Sequence, residues 1–241
     1  MAVLNADDQL VRAMADVTTA QVVTYGVDAA ADLRATDIVL DERACPTFTV
    51  DGMRVSVPLP GAHNVSNALA ALAAARACGV DLADAVEALA HAAVSRWRME
   101  LAEGPGGVRV LNDAYNANPS SMAVALRTLA AMAVTGRRWA VLGHMAELGA
   151  GSEAAHNEIG RLCARLELDG LVVVGAAAKG IRDGAAAAGF AGTLLGVDSP
   201  EDAVIDVGRR LRSGDAVLVK ASRSVGLEQV AVALAAREDA A

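Results

Sequence analysis

The stretch VRVLNDAYNANPSSMAVALRTLAAMAV, residues 108–134, decides the fold of this chain. It opens with a short apolar run typical of a strand, continues through polar residues 112–118, and ends in an Ala-rich segment with helical spacing. Pro119 is favourable in the first turn of a helix, where its missing N–H would have no partner, and Asn118 before it is a good N-cap. The stretch therefore predicts a strand, a polar loop and a helix.

The polar loop carries a carboxylate and several carboxamides to the carboxyl end of its strand, where open α/β sheets bind ligands. Asp113 can hold a ribose hydroxyl or a metal-bound water, and Asn116 and Asn118 can donate to phosphate oxygens. Asparagine also suits tight turns for purely conformational reasons. The residues alone leave these two interpretations open.

The same alternation continues to the end of the chain. Strand-like runs occupy residues 108–111, 139–142, 171–174, 193–196 and 216–220, and each is followed by a helix-like segment. Parallel strands need crossover helices, so this pattern predicts an α/β fold with a doubly wound parallel sheet.

Residues 1–105 have a different pattern. A strand-like run at residues 2–4 leads into helical spacing, and short strands are predicted at 21–25, 37–40, 47–50 and 53–57, the last two joined by an Asp-Gly turn. Helices are predicted from Val65 and after Asp81. The sequence Gly-Pro-Gly-Gly at 104–107 is the predicted boundary between the two halves.

Composition excludes several classes of protein. The net charge is −8 and the basic residues are scattered, which disfavours a nucleic-acid surface. No apolar run is long enough to span a membrane, and the first residues lack a signal-peptide pattern, so we expect a cytoplasmic protein. Cys45, Cys78 and Cys163 are far apart in the sequence. We therefore expect a reducing compartment and buried thiols, with neither a disulfide scaffold nor a zinc site, and we assign no metal ligand among the site residues.

Two further sets of polar residues are candidates for a binding site. Asn64 and Asn67 are three residues apart on one predicted helix face, and together with His63 they can bind a purine edge or a ribose. Alternatively, these residues cap the helix and His63 is hydrogen-bonded within the protein. Spacing alone favours this second interpretation. Residues 142–156 and 220–224 follow later strands and should meet Asp113 at one rim of the sheet. Neither a G-x-x-x-x-G-K-[ST] loop nor a G-x-G-x-x-G fingerprint is present.

Six motifs taken together resemble the Mur ligases. They are Asn5-Ala6-Asp7-Asp8, Gly61-x-His63-Asn64-x-x-Asn67-Ala68, Arg98-Met99-Glu100, Asp113-x-Tyr115-Asn116-Ala117-Asn118-Pro119, Leu142-Gly143-x-Met145-x-Glu147-Leu148-Gly149 and Lys220-x-Ser222-Arg223. Family members have a UDP-sugar domain, a central ATPase domain and a Rossmann-like C-terminal domain. The resemblance implies that residues 1–102 are the last part of the central domain and residues 106–241 the C-terminal domain. The P-loop, the magnesium-binding acids and the UDP-sugar domain would precede residue 1.

The resemblance implies an ATP-dependent amide ligation in peptidoglycan precursor synthesis. The implied partners are UDP-N-acetylmuramoyl-tripeptide and D-Ala-D-Ala, and an acyl phosphate is the implied intermediate. ATP and Mg²⁺ are the implied cofactors, both held through the N-terminal half. We therefore expect this chain to be inactive alone.

The resemblance also implies roles for individual residues. It places Asn5, His63, Asn64 and Asn67 at the nucleotide. It makes Arg98 a phosphate contact at the domain hinge, and it brings Asp113 and Asn116 to the nucleotide on domain closure. On the substrate side it implies Asn118, Lys220, Ser222 and Arg223.

Four positions depart from the family pattern: His144 replaces Asp, Ala221 replaces Gly, Gln9 replaces Pro and Val225 replaces Met. The change at His144 leaves an acidic contact of the family without a counterpart.

Two alternative functions stay open. The chain can be a non-catalytic module that complements a separate N-terminal half, or a related ligase such as folylpolyglutamate synthetase. A dinucleotide-dependent oxidoreductase is disfavoured because the glycine fingerprint is missing.

Overall fold

The computed structural model describes residues 1–92 and 95–236, and contacts between Cα atoms divide the chain into two units, Met1–Ala93 and Val94–Ala241. The first unit contains two small sheets. A parallel sheet has the order β1 (Ala2–Asn5), β2 (Val22–Gly26), β3 (Leu33–Arg34), and an antiparallel sheet has the order β4 (Thr36–Leu40), β5 (Pro46–Val50), β6 (Met53–Ser56). Its helices are α1 (Gln9–Ala13), α2 (Asn64–Ala77) and α3 (Leu82–Ala90).

Helix α2 is the centre of the first unit. Its buried face includes Val65, Leu69 and Leu72, which pack with Phe48 and Val55 of the antiparallel sheet. The predicted turn between β5 and β6 is confirmed. Asp51 and Gly52 both have positive φ angles, 48° and 77°, as a two-residue hairpin turn with the twist of its strands requires.

The second unit is built on one six-stranded sheet in the order β11-β10-β9-β12-β8-β7. The strands are β7 (Glu100–Gly104), β8 (Val108–Asn112), β9 (Arg138–Leu142), β10 (Gly170–Val174), β11 (Thr193–Val197) and β12 (Ala216–Lys220). All neighbours are parallel except β7, which runs antiparallel to β8. The last strand in the sequence thus lies inside the sheet, between β9 and β8.

Helices cover both faces of this sheet. They are α4 (Pro119–Ala131), α5 (Ser152–Arg165), α6 (Lys179–Ala187), α7 (Pro200–Arg210) and α8 (Glu228–Ala235). Residues of α7 and α8 join one core cluster with alternate strand residues such as Val141 and Val217. Helices α4 and α6 also contact the strands but contribute no residue to that cluster, so they cover the other face. The predicted doubly wound sheet is confirmed, with its five predicted strands in place.

Strand β7 was not predicted, and it changes the meaning of the glycine-rich segment. Residues 105–107 form a 3₁₀ turn between β7 and β8, with Gly106 and Gly107 both at positive φ. Glycine and proline mark tight turns as well as linkers, and here they close a hairpin inside the second unit. The units divide instead at residues 93 and 94, earlier than the boundary placed between 102 and 106.

The cysteines are unpaired, and they differ in burial. Cys163 is buried, which raises the pKa of its thiol to about 12, whereas Cys78 is exposed, so the prediction of burial is wrong there. In the part of the chain that the structure describes, no helix has both the length and the apolar character needed to cross a membrane.

Candidate functional site

Lys220 is the centre of the candidate site in the second unit. It ends β12 and only 2% of its side chain is exposed. Its ammonium group donates to Asp113 Oδ2 at 2.6 Å, to the carbonyl of Asn116 at 2.7 Å and to the carbonyl of Asp113 at 3.3 Å. A lysine ammonium has three hydrogens, and all three are used here. Lys220 therefore holds the polar loop that follows β8.

The charge of Lys220 depends on its carboxylate partner. Burial lowers the pKa of Lys220, the ion pair and hydrogen bond with Asp113 act in the opposite direction, and the nearby Arg98 lowers it further. A buried ammonium without a partner is costly, so Asp113 is needed to keep this lysine charged in place.

Asp113 also fixes the segment before β7. Its Oδ1 accepts the backbone N–H of Met99 at 3.1 Å, and the N–H of Tyr115 donates to the carbonyl of Trp97 at 3.1 Å. Trp97 and Met99 have φ angles of 61° and 51°, a region that bulky residues rarely adopt. The loop after β8 thus holds residues 97–99 in an unusual backbone conformation.

Two arginines stack on aromatic rings at this site. The guanidinium carbon of Arg98 lies 4.0 Å from the ring centroid of Tyr115, and that of Arg223 lies 4.0 Å from the ring of Trp97. Both arginines are exposed, and within residues 1–92 and 95–236 neither pairs with a carboxylate. With Lys220 they make the site rich in positive charge and suited to anions.

Other predicted site residues have structural partners of their own. Asn118 caps α4, as predicted: its Oδ1 accepts the N–H of Ser121 at 2.8 Å in a capping box. Ser222 is 4% exposed, and its hydroxyl accepts the N–H of Ala146 at 2.9 Å. Asn116 is exposed, and its side-chain oxygen accepts the N–H of Ala117 at 2.8 Å. These contacts shape the loops around Lys220.

Two histidines stack on each other next to the site, one in the loop after β9 and one in α5. The rings of His144 and His156 are 4.9 Å apart and nearly parallel. His156 is buried; its Nε2 accepts the N–H of Met145 at 2.9 Å and its Nδ1 lies 2.7 Å from the carbonyl of Ser152. This arrangement requires the neutral Nδ1–H tautomer. Burial lowers the pKa of His156, the Ser152 carbonyl opposes that effect, and His144 lowers it further.

The predicted nucleotide residues lie in the first unit. His63 precedes α2, Asn64 and Asn67 occupy its first turn, and Asn5 ends β1, a strand that α2 contacts. Asn64 donates to the carbonyl of Pro60 at 2.9 Å, and Asn67 donates to Asn64 Oδ1 at 3.0 Å. Asn5 Oδ1 accepts the N–H of Asp7 at 3.0 Å. The Asn5 amide nitrogen and the Asn67 side-chain oxygen make no hydrogen bond among the described residues.

The sequence alone assigned no role to Asp7, Trp97 or Tyr115. Asp7 accepts the backbone N–H groups of Val27, Asp28 and Ala29 at 2.7 to 3.0 Å. Burial raises the pKa of Asp7, but these bonds and Arg34 outweigh it and lower the pKa overall. Asp7 and Tyr115 belong to motifs that resemble those of the family, and this resemblance could have identified them. Nothing in the sequence singled out Trp97.

No cluster of three or more His, Cys, Asp or Glu side chains that could hold a metal ion occurs in residues 1–92 and 95–236. Two acids of the candidate site are already engaged. Asp113 is paired with Lys220, and Glu100 accepts the N–H of Trp97 at 3.1 Å.

Comparison with protein families shows to which family the chain belongs. Residues 97–223 match the model of the Mur ligase glutamate ligase domain, and residues 1–75 match the model of the Mur ligase middle domain. The chain belongs to the Mur ligase family. Both the family resemblance and the fold class derived from the sequence are thereby confirmed.

Individual Mur ligases show the same relationship. A UDP-N-acetylmuramoyl-tripeptide--D-alanyl-D-alanine ligase of Mycobacterium bovis is 43% identical, over 97% of this chain and 50% of its own length. The corresponding Bacillus subtilis ligase is 32% identical over 87% of this chain and 46% of its own length. The chain therefore spans about half the length of the curated relatives it matches.

Solved Mur ligase structures agree with the fold. MurF from Acinetobacter baumannii superposes with a TM-score of 0.83 at 28% identity, covering 97% of this chain and 51% of that one. MurF from Thermotoga maritima, solved in complex with ADP, gives a TM-score of 0.80 at 26% identity, covering 97% of this chain and 52% of that one.

Proposed function

We propose that this chain is the C-terminal half of a MurF-type ligase that joins D-Ala-D-Ala to UDP-N-acetylmuramoyl-tripeptide in the cytoplasm, in an ATP-dependent reaction. The observation that carries the proposal is the buried pair of Lys220 and Asp113 together with Arg98 and Arg223, which lie over the rings of Tyr115 and Trp97. The pair and both arginines lie within motifs shared with the family, in a chain that is 43% identical to a UDP-N-acetylmuramoyl-tripeptide--D-alanyl-D-alanine ligase. We assign the first unit to the end of the central domain and the second unit, which includes β7, to the C-terminal domain.

The residues of this chain would act by charge and by position. ATP, when bound, supplies the phosphoryl group that activates a peptide carboxylate for attack by an amine. Arg98 and Arg223 would hold carboxylate or phosphoryl oxygens through their N–H groups and reduce the repulsion between anions as they approach. Lys220 would act indirectly, because its three hydrogens already hold the Asp113 loop.

The first unit offers a limited fit to a nucleotide. The Asn5 amide nitrogen and the Asn67 side-chain oxygen supply one donor and one acceptor for a purine edge or a ribose hydroxyl, whereas the Asn64 side chain is already bonded. The described residues include no acidic cluster suited to Mg²⁺. In this proposal, Mg²⁺ and the phosphate cradle belong to the N-terminal half of the family architecture.

One observation favours association with a separate N-terminal half as a second candidate. In the described structure β1 pairs only with β2, so its other edge is free. Leu10 and Val17, which follow β1, are 81% and 84% exposed. A free strand edge beside exposed apolar residues is a surface on which further strands can add.

The proposal is tested by reconstitution. The purified chain is mixed with ATP, Mg²⁺, UDP-N-acetylmuramoyl-tripeptide and D-Ala-D-Ala, with and without the separately produced N-terminal half of a homologous ligase, and amide product is measured. We expect product only with both halves, and much less of it with the Arg223→Ala variant. Product from the chain alone, or none from a stable complex of both halves, would overturn the proposal. Replacing the UDP-sugar tripeptide with a folate and D-Ala-D-Ala with L-glutamate tests the folylpolyglutamate alternative.

A further inference from the structure

We propose that Trp97 and Tyr115 are positioning residues, which hold the guanidinium groups of Arg223 and Arg98 in fixed orientations for binding an anion. The identity of that anion, a carboxylate or phosphoryl group of the ligation, rests on the proposed function. The positioning itself is a property of the second unit and can be measured without any reaction.

Geometry links Trp97 to three parts of the second unit. Its ring faces Arg223, which follows β12, at 4.0 Å; its carbonyl accepts the N–H of Tyr115, which follows β8, at 3.1 Å. Its own N–H donates to Glu100 Oε2 on β7 at 3.1 Å. The backbone of Trp97 is therefore fixed on both sides at the point where its ring meets the arginine.

The backbone around Trp97 supports a specific role. Trp97 and Met99, on either side of Arg98, both have left-handed φ angles of 61° and 51°. Such conformations persist in bulky residues only when the surroundings enforce them, and they are concentrated at functional sites. Here the enforcing contacts are the bonds from Tyr115 and Asp113 to the backbone of this segment.

Aromatic residues are scarce in this protein, which makes these two rings informative. The chain has two Trp, two Tyr and two Phe among 241 residues. Trp139 and Phe48 are buried in cores, whereas Trp97 is half-buried and Tyr115 is 43% exposed. Each of these two rings faces a guanidinium group at 4.0 Å, so a contact with a cation explains them better than core packing does.

Stacking has a direct consequence for anion binding. A free arginine side chain must lose its rotamer freedom when it binds a ligand, and a stacked one has already lost much of it. The ring holds the guanidinium carbon 4.0 Å from its centroid, and the guanidinium N–H groups would bind a planar or tetrahedral oxyanion. Trp97 and Tyr115 would thus strengthen anion binding without touching the anion.

The primary test is side-chain NMR of the arginine Nε–H groups in the full chain. We expect Trp97→Leu to lower the order parameter of Arg223 and Tyr115→Leu to lower that of Arg98. Trp97→Phe and Tyr115→Phe, which keep a ring face, should retain the order. Arg96→Ala is the matched control, because Arg96 lies 5.7 Å from the Trp97 ring and its loss should leave Arg223 ordered. Equal order of Arg223 in wild type and Trp97→Leu, with the backbone spectrum unchanged, would overturn the proposal.

A second measurement uses inorganic phosphate as the probe, titrated into the same samples. We expect binding to weaken about two- to fivefold in Trp97→Leu and to stay at the wild-type level in Trp97→Phe, as cation–π energies at exposed sites suggest. Equal phosphate affinity in Trp97→Leu and wild type would count against the proposal. The two proposals can fail separately. If the NMR and phosphate results are as expected but the reconstituted halves form no amide product, only the proposed function is overturned.

Discussion

At the scale of single residues, the pair of Lys220 and Asp113 decides whether the candidate site keeps its shape. Their side chains are 2% and 13% exposed and bonded at 2.6 Å. Lys220→Met leaves a carboxylate without its partner, and Asp113→Ala leaves a buried ammonium without one. Removing one member of a buried pair costs about 3–5 kcal/mol of unfolding free energy. We expect each single variant to lose an amount of this order in urea denaturation.

The double variant supplies the control for this pair. With both charges gone, no ion is left unpaired in the interior, so the combined loss should be clearly smaller than the sum of the two single losses. Strict additivity would show that the pair does not act as a unit.

His156 predicts a pH dependence of stability. Burial lowers the pKa of His156 in the folded chain, whereas the unfolded chain binds this proton near pH 6.5. The unfolded state therefore takes up the proton first on acidification. The stability from neutral His156 is fully present above about pH 6.5 and declines as the pH falls toward the folded-state pKa.

The measurement is the unfolding free energy of the second unit between pH 7.5 and pH 5. His156→Gln is the matched variant, because its side-chain oxygen can still accept the N–H of Met145 but cannot titrate in this range. We expect a shallower dependence on pH in the variant than in wild type. Parallel curves for the two proteins would contradict the assignment to His156.

At the scale of elements, Gly143 and Ala221 show how two strand ends approach each other. A Cβ atom at Gly143 would lie 2.8 Å from the Ala221 methyl carbon and 3.1 Å from Val225 Cγ1. The methyl group of Ala221, where the family has glycine, fits because Gly143 faces it. Gly143→Ala should cost about 1–3 kcal/mol through overpacking.

The matched test for this contact is Ala221→Gly. In that background Gly143→Ala should cost measurably less, because one of the clashing atoms is gone, although Val225 and Leu227 remain nearby. Thermal unfolding of the four proteins measures the coupling. An unchanged cost would locate the clash elsewhere.

Elements with a strong local signal could be predicted from the sequence. The cap at Asn118, the proline after it and the apolar runs of the second unit all specify one structure locally, and they were predicted correctly. Strand β7 was missed because its sequence, Glu-Leu-Ala-Glu-Gly, carries two acidic residues and no β-branched one. Its pairing with β8 depends on tertiary structure that no local pattern reveals.

The candidate site was predictable only in part, for a related reason. Motif order brought Asp113, Lys220 and Arg223 to one rim of the sheet, which the structure confirms for Asp113 and Lys220 by direct contact. The stack of Trp97 on Arg223 joins residues far apart in the sequence and depends on a left-handed backbone conformation. Such a contact has no spacing signature.

At the scale of the whole molecule, the two units should differ in stability. The second unit has a six-stranded sheet covered by helices on both faces, whereas the first has two three-stranded sheets and the exposed apolar residues Leu10 and Val17. Local stability follows buried apolar contacts. We expect hydrogen exchange in increasing urea to lose protection in β1 and β2 before β9 and β12. Simultaneous loss of protection throughout the chain would contradict this order.

The place of β12 in the sheet also has a consequence for synthesis on the ribosome. β12 is made well after β8 and β9, yet it fills the gap between them. At about 5–20 residues per second, β8 emerges on the order of ten seconds before its partner. During that interval the strands β8 and β9 have unpaired inner edges, and the Asp113 loop lacks the lysine that holds it. The nascent second unit therefore exposes apolar strands to which chaperones can bind, and its anion site cannot form until β12 and Lys220 have been made.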